Sequence, residues 1–152
     1  MKRNSIILAV MLLGLACLAR AQEDRGLWRA ADTNARAITG DIDLGETRVT
    51  LNFAAFSLAQ IRRLKPVEVS AVFDADVNSG IEGTLYRLRI PGYQHITRKN
   101  TLCSGEDTQW MATYATGRTL KVAFFSGDEM PVFTFDAMQG ATTLCGRYVY
   151  GR

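Results

Sequence analysis

Apolar and polar positions alternate most clearly over residues 110–150. WMATYA at 110–115, a Thr116-Gly117 turn, RTLKVAFF at 118–125, a Ser-Gly-Asp-Glu-Met-Pro break, VFTF at 132–135 and TTLCGRYVY at 142–150 predict four strands joined in order as an antiparallel meander. Leu120, Val122 and Phe124 fall on one face of their strand, and Gly117 supplies the positive φ that a tight hairpin needs. Upstream, 37–44 and 48–53 read as a hairpin across Gly45-Glu46-Thr47, with Val49, Leu51 and Phe53 on one face and Arg48, Thr50 and Asn52 on the other. Residues 83–90 form a further strand, Tyr86, Leu88 and Ile90 facing one way and Leu85, Arg87 and Arg89 the other, ended by Pro91-Gly92.

The pattern is ambiguous over 54–76. Ser57 and Gln60 have capping-box spacing, yet Phe56, Leu58, Gln60 and Arg62 share one face of an extended chain. Pro66 at a first helical position with Glu68 in the first turn competes with alternation at Val67, Val69, Ala71 and Phe73. A strand over 56–64 and one short helix over 67–74 reconcile these signals. Residues 93–109 are polar and aperiodic and predict an irregular crossing loop. With no repeats, about eight strands at short spacing predict an all-β fold, a single antiparallel meander barrel, because closure removes exposed edges.

At the start of the chain, basic Met1-Lys2-Arg3, an apolar run from Ile6 to Leu15 and the small-x-small Ala19-Arg20-Ala21 predict a signal peptide over 1–21, leaving one barrel domain over 22–152. The apolar run falls short of the roughly 20 residues a membrane-spanning helix needs, so no transmembrane segment is expected. Gly14-Leu15-Ala16-Cys17 resembles a lipobox, but Gly14 stands where that box prefers Leu, Val or Ile. Lipidation at Cys17 is the alternative to plain cleavage. Cleavage after Ala21 removes Lys2, Arg3 and Arg20 and reduces 18 basic residues to 15, level with the 15 acidic ones. A neutral chain without a basic block gives no electrostatic reason to expect nucleic acid or an anionic membrane. Cys103 and Cys145 are then the remaining thiols of an exported protein, and a disulfide between them is predicted, tying the crossing loop to the last strand.

Gly26-Leu27-Trp28 resembles the G-x-W that opens the first strand of lipocalins. More broadly, the order of G-x-W, I-T-G-D-I, L-Y-R-L-R-I-P-G, T-L-C-S-G, W-M-A-T-Y, A-F-F-S-G and L-C-G-R-Y-V-Y resembles small exported bacterial proteins of unassigned function. The resemblance implies a calycin-like or lipocalin-like barrel plugged at its closed end by Trp28, with an arginine such as Arg147 or Arg118 stacked on the ring. A T-D-Y type second motif and a C-terminal helix, which lipocalins carry, are not visible.

Candidate chemistry is sparse. Asp74, Asp76 and Asn78, followed by Gly80 and Glu82, resemble the start of a calcium loop, but Gly80 is seventh where an EF-hand has Gly sixth, and the twelfth position is Leu85. Solvated turn residues are the expected role of this stretch, and no metal or other cofactor is expected. His95 has no partner at metal-ligand spacing, there is no G-x-S-x-G, and the acidic pairs Glu106-Asp107 and Asp128-Glu129 lie in loops. No catalytic residue is assigned. Tyr86, Trp110, Tyr114, Tyr148 and Tyr150 either line an apolar cavity or fill the barrel, and filling is the expectation. The functional expectation is a non-enzymatic exported module that binds a protein partner or a small apolar ligand. The alternatives are an inhibitor of an extracytoplasmic hydrolase presenting loop 93–109, and an enzyme without a recognisable motif.

Overall fold

Eight short antiparallel strands leave no unpaired edge only if the last returns to the first, and in a computed structural model that describes residues 24–98 and 100–152 it does. The strands are β1 (Gly26–Ala30), β2 (Ile42–Leu44), β3 (Arg48–Leu51), β4 (Ala54–Leu64), β5 (Gly83–Ile90), β6 (Thr108–Thr116), β7 (Thr119–Ser126) and β8 (Leu144–Gly151), each paired with its neighbour in sequence. Arg29 opposite Gly151 and Ala30 opposite Tyr150 close the barrel. The predicted signal segment 1–21, with Cys17, lies outside the described residues.

Side-chain alternation sends Val49, Leu51, Tyr86, Leu88, Met111, Leu120, Val122, Phe124, Tyr148 and Tyr150 inward, where all are buried in one cluster. The opposite faces of β5, β6 and β7 are buried as well. Leu85, Trp110, Ala112, Tyr114, Ala123 and Phe125 lie beneath a cover made by helix α1 (Pro66–Phe73) and the β7–β8 connection.

Local chemistry explains why 66–73 is a helix despite its alternation. Pro66 has the φ of a first turn, and the Glu68 carboxylate accepts from the Lys65 amide at 2.9 Å. Val69, Val72 and Phe73, at i, i+3 and i+4, form the buried stripe. Asp74, in the left-handed conformation, ends the helix with its amide on the Ser70 carbonyl. Arg62 of β4 holds the helix from one side through two bonds to Glu68 at 2.9 and 2.8 Å, and Arg147 of β8 donates to the Val72 carbonyl from the other.

Three expectations are corrected. Residues 132–135 are not a strand. Phe133 turns onto Phe125 at 5.8 Å between centroids, and Thr134 caps a short helix α2 (Phe135–Gln139), accepting from the Ala137 amide. The strand expected over 37–44 begins only at Ile42. Before it, Asp32 accepts from the Ala35 amide at 2.6 Å and the chain makes one wide helical turn over Ala35–Thr39. Phe53 does not share the inner face with Val49 and Leu51. The strand ends at Leu51, and Asn52 and Phe53 form the turn to β4 at φ 44° and 74°.

The disulfide between Cys103 and Cys145 is present, with Cα atoms 4.8 Å apart, and anchors the long β5–β6 connection to β8. Next to it Leu102, and further along the same connection Ile96, drop into the interior cluster.

Candidate functional site

Antiparallel order gives the barrel two unlike ends. One carries the start of β1, the end of β8 and the β2–β3, β4–β5 and β6–β7 connections. The other carries the β1–β2, β3–β4, β5–β6 and β7–β8 connections.

At the first end Trp28 is fully buried and its indole N–H donates to the Asp24 carbonyl at 2.9 Å. The guanidinium lying on its ring, 3.9 Å from the centroid, belongs to Arg152 and not to Arg147 or Arg118. Arg147 is occupied with α1, and Arg118 donates to the Arg152 carbonyl, holding that residue over the ring. Asp24 completes the end by accepting from the Tyr86 and Thr113 hydroxyls at 2.8 and 2.9 Å. Burial first, and then the Asp24 charge, pushes the Tyr86 phenol well above its ordinary range.

Above this floor the interior is occupied by protein. Met111, Phe124, Tyr148 and Tyr150 fill the middle, with Phe124 and Tyr148 edge to face at 5.7 Å. Tyr150 shares a 2.6 Å hydrogen bond with Thr39, and burial raises its phenol strongly. Tyr148 is pushed up to about 12 by burial and by the Asp32 charge. Ala35, Ile96 and Leu102 close the far end. Trp110 and Tyr114, grouped in sequence with the other aromatics, point the opposite way. Tyr114 stacks on Phe73 of α1 and Trp110 lies under Arg87, 4.4 Å from its centroid.

The remaining residues singled out by sequence are spread over separate connections. Asp76 accepts from the Asn78 amide and caps a single 3-10 turn, Asp74 ends α1, and Glu82 pairs with Arg63. Among the described residues no three His, Cys, Asp or Glu side chains come together as a metal set. His95 is exposed and bridges to Thr101 across the β5–β6 connection. The Gly92 amide and then Arg89 hold the Asp107 carboxylate below its usual range, and Asp128 faces Arg87 and Gln109.

Among the described residues a polar hollow of about 530 Å³ lies at the first end, between the β4–β5 and β6–β7 connections, and two more lie on the outside of the wall. One, of about 620 Å³, opens where β4 and β5 part beyond the Leu58–Leu88 pair, and its charged groups Arg87, Arg89, Asp107 and Asp128 are already engaged with one another. The other, of about 590 Å³, runs between α1 and the β7–β8 connection. Val67, Met130, Val132 and Phe135 line it and are exposed, and Lys65 and the Arg62–Glu68 pair form its rim. Sequence reasoning missed Val132 and Phe135 because it assigned 132–135 to a strand, and it had no way to bring Val67 of the expected helix and Met130 of the expected break beside them. The legible signal was Pro131 ahead of alternating Val132 and Phe133, in which only Phe133 is buried. Comparison with family models, with curated proteins and with solved structures returns no match.

Proposed function

We propose that this chain is an exported, non-enzymatic β-barrel module that docks a protein partner in the groove between α1 and the β7–β8 connection. The observation that carries the reading is an exposed apolar cluster of Val67, Met130, Val132 and Phe135 beside a barrel whose own interior is filled by side chains. Large exposed apolar side chains rimmed by polar ones favour association, and the exposed Lys65 on the rim selects a segment that pairs apolar residues with an acidic one. The disulfide is the kind of staple that an oxidising compartment sustains, which supports export with 1–21 as the signal peptide.

The test begins with a photo-crosslinking residue at Val132 in the producing cell, followed by calorimetry of the purified partner against the purified protein. Wild type is expected to bind, Val132→Asp and Phe135→Asp to weaken binding at least about tenfold, and their melting temperatures to stay near wild type because both positions are exposed. Equal affinity for wild type and variants overturns the groove. Saturable binding of a fluorescent fatty acid, competed by natural lipid, overturns the filled barrel and makes the protein a carrier.

A further inference from the structure

The turn between β3 and β4 is costly for what it presents. Two-residue hairpin turns with positive φ at both positions favour Asn and Gly, yet the second position here is Phe53, at φ 74° and 96% exposed. Three contacts hold it there. The Asn52 amide donates to the Asp41 carbonyl at 2.9 Å, the Asn52 side chain donates to the Ile96 carbonyl at 3.0 Å, and Asn52 packs where a Cβ on Gly40 would lie only 2.6 Å away. The β1–β2, β3–β4 and β5–β6 connections are thus clasped together beneath an aromatic ring that touches little of its own protein. A bulky residue in a disfavoured conformation, without packing to offset it, marks a position kept for something outside the fold.

The neighbouring groups say what that is. Tyr93, 80% exposed, stands on the β5–β6 connection at the same end. Exposed Arg36 lies on the connection that Asn52 grips at Asp41, and exposed His95 and Arg98 on the one it grips at Ile96. The carboxylates of Asp32 and Asp41 nearby are engaged, Asp32 with the Ala35 and Val149 amides and Asp41 with the Ala30 amide and Arg29. Exposed Glu129 belongs to the β7–β8 connection, which the strand order places across the barrel from Phe53, and exposed Glu106 lies at the far end of the β5–β6 connection. Aromatics on separate loops, with cations on the same connections, do not make the contiguous patch that a stable protein interface buries. They do match a lipid interface, where rings settle at headgroup depth and cations meet anionic phosphates.

We propose that the β1–β2, β3–β4 and β5–β6 connections at this end of the barrel form a peripheral docking face for an anionic lipid surface, with Phe53 as the inserted anchor, Tyr93 at headgroup level, and Arg36 and Arg98 toward the phosphates. The face is separate from the groove along α1, and Phe135→Asp leaves it intact.

Flotation with vesicles of phosphatidylcholine, with and without phosphatidylglycerol, tests this on protein recovered after processing, its N-terminus read by mass spectrometry so that no residual leader acts as the anchor. The protein is expected to float with the phosphatidylglycerol vesicles, less so as salt rises, and weakly with phosphatidylcholine alone. Phe53→Gly is expected to weaken binding about tenfold or more while its melting temperature holds or rises, because Gly adopts this φ without strain. Arg36→Glu and Arg98→Glu should each reduce only the phosphatidylglycerol-dependent part. Absence of flotation at any composition, flotation that Phe53→Gly leaves unchanged, or a protein that binds through Phe53 in the absence of lipid overturns the proposal.

Discussion

Strands β1 to β3 and strands β5 to β7 belong to one barrel but bury themselves differently. In β2 and β3 only the inward residues are covered, and Asp43, Arg48 and Thr50 face outward as polar side chains. In β5, β6 and β7 nearly every position is buried, because the outward Leu85, Ala112, Tyr114, Ala123 and Phe125 lie under α1 and Phe133. One half of the wall is a single layer over a core, and the other is the middle of a three-layer stack. The difference says where stability is concentrated and why the exposed apolar groove occurs where it does. The cover is assembled from a helix of eight residues and an irregular connection, and its outer side offers Val67, Val132 and Phe135 that no further layer meets.

The largest test of this contrast is Phe125→Ala. The ring is fully buried on the outward face of β7 and meets Phe133 edge to face. Its removal is expected to cost about 3–5 kcal/mol in denaturant unfolding, whereas Thr50→Ala on the outward face of β3 should change stability by less than about 0.5 kcal/mol. A small effect at Phe125 would mean that the cover is not part of the cooperative unit, and a biphasic transition would show it melting separately.

Next in size is the disulfide, which joins the two kinds of structure. It spans 42 residues and fixes the irregular β5–β6 connection to β8, so Cys145→Ser should cost about 2–4 kcal/mol. Hydrogen exchange should locate the loss. Amides of 96–98 and 100–103, together with the Ala35–Thr39 turn that Thr97 touches through the Ala37 carbonyl, should exchange faster, while β5 to β7 keep their protection. Uniform loss across all strands would place the bridge inside the same cooperative unit as the stack.

Legibility in the sequence follows the same division. Val49 with Leu51, Tyr86 with Leu88 and Val122 with Phe124 identify inner faces by period two, since each inward apolar residue alternates with an outward one of different character or neighbourhood. Where both faces are buried, as at Trp110 to Tyr114, alternation no longer says which aromatic points inward, and residue type alone groups Trp110 and Tyr114 with Tyr86, Tyr148 and Tyr150. Phe53 shows a second limit. An apolar residue at the end of an alternating run reads as one more core position, yet the backbone at Phe53 has already turned to φ 74°. Arg152 is hidden for a different reason: a ring can be capped by any arginine the fold delivers, and only closure of β8 on β1 brings Arg152 over Trp28.

The smallest effect concerns the strap that holds the cover in place. Arg62 leaves β4 as an outward residue and grips Glu68 of α1 with both nitrogens, and its guanidinium also lies 5.7 Å from the Phe133 ring, so one side chain touches both parts of the cover. The Arg62 hydrogen bonds hold the Glu68 carboxylate below its usual range, more than burial raises it. A depressed folded-state value means that this contribution is complete above the unfolded carboxylate pKa of about 4.3 and is lost as pH falls through the lower folded value. Glu68→Gln should therefore be less stable than wild type at neutral pH by no more than about 1 kcal/mol, because Arg62 is partly solvated, and the gap should begin to narrow below about pH 4.3 and close once pH has fallen through the lower folded value. Parallel thermal melts of the two proteins across that acid range measure it, with the other carboxylates common to both. Equal stability of the two proteins at every pH would assign the role of Glu68 to capping the Lys65 amide, which Gln also does, and would leave the cover held by Val69, Val72 and Phe73 alone.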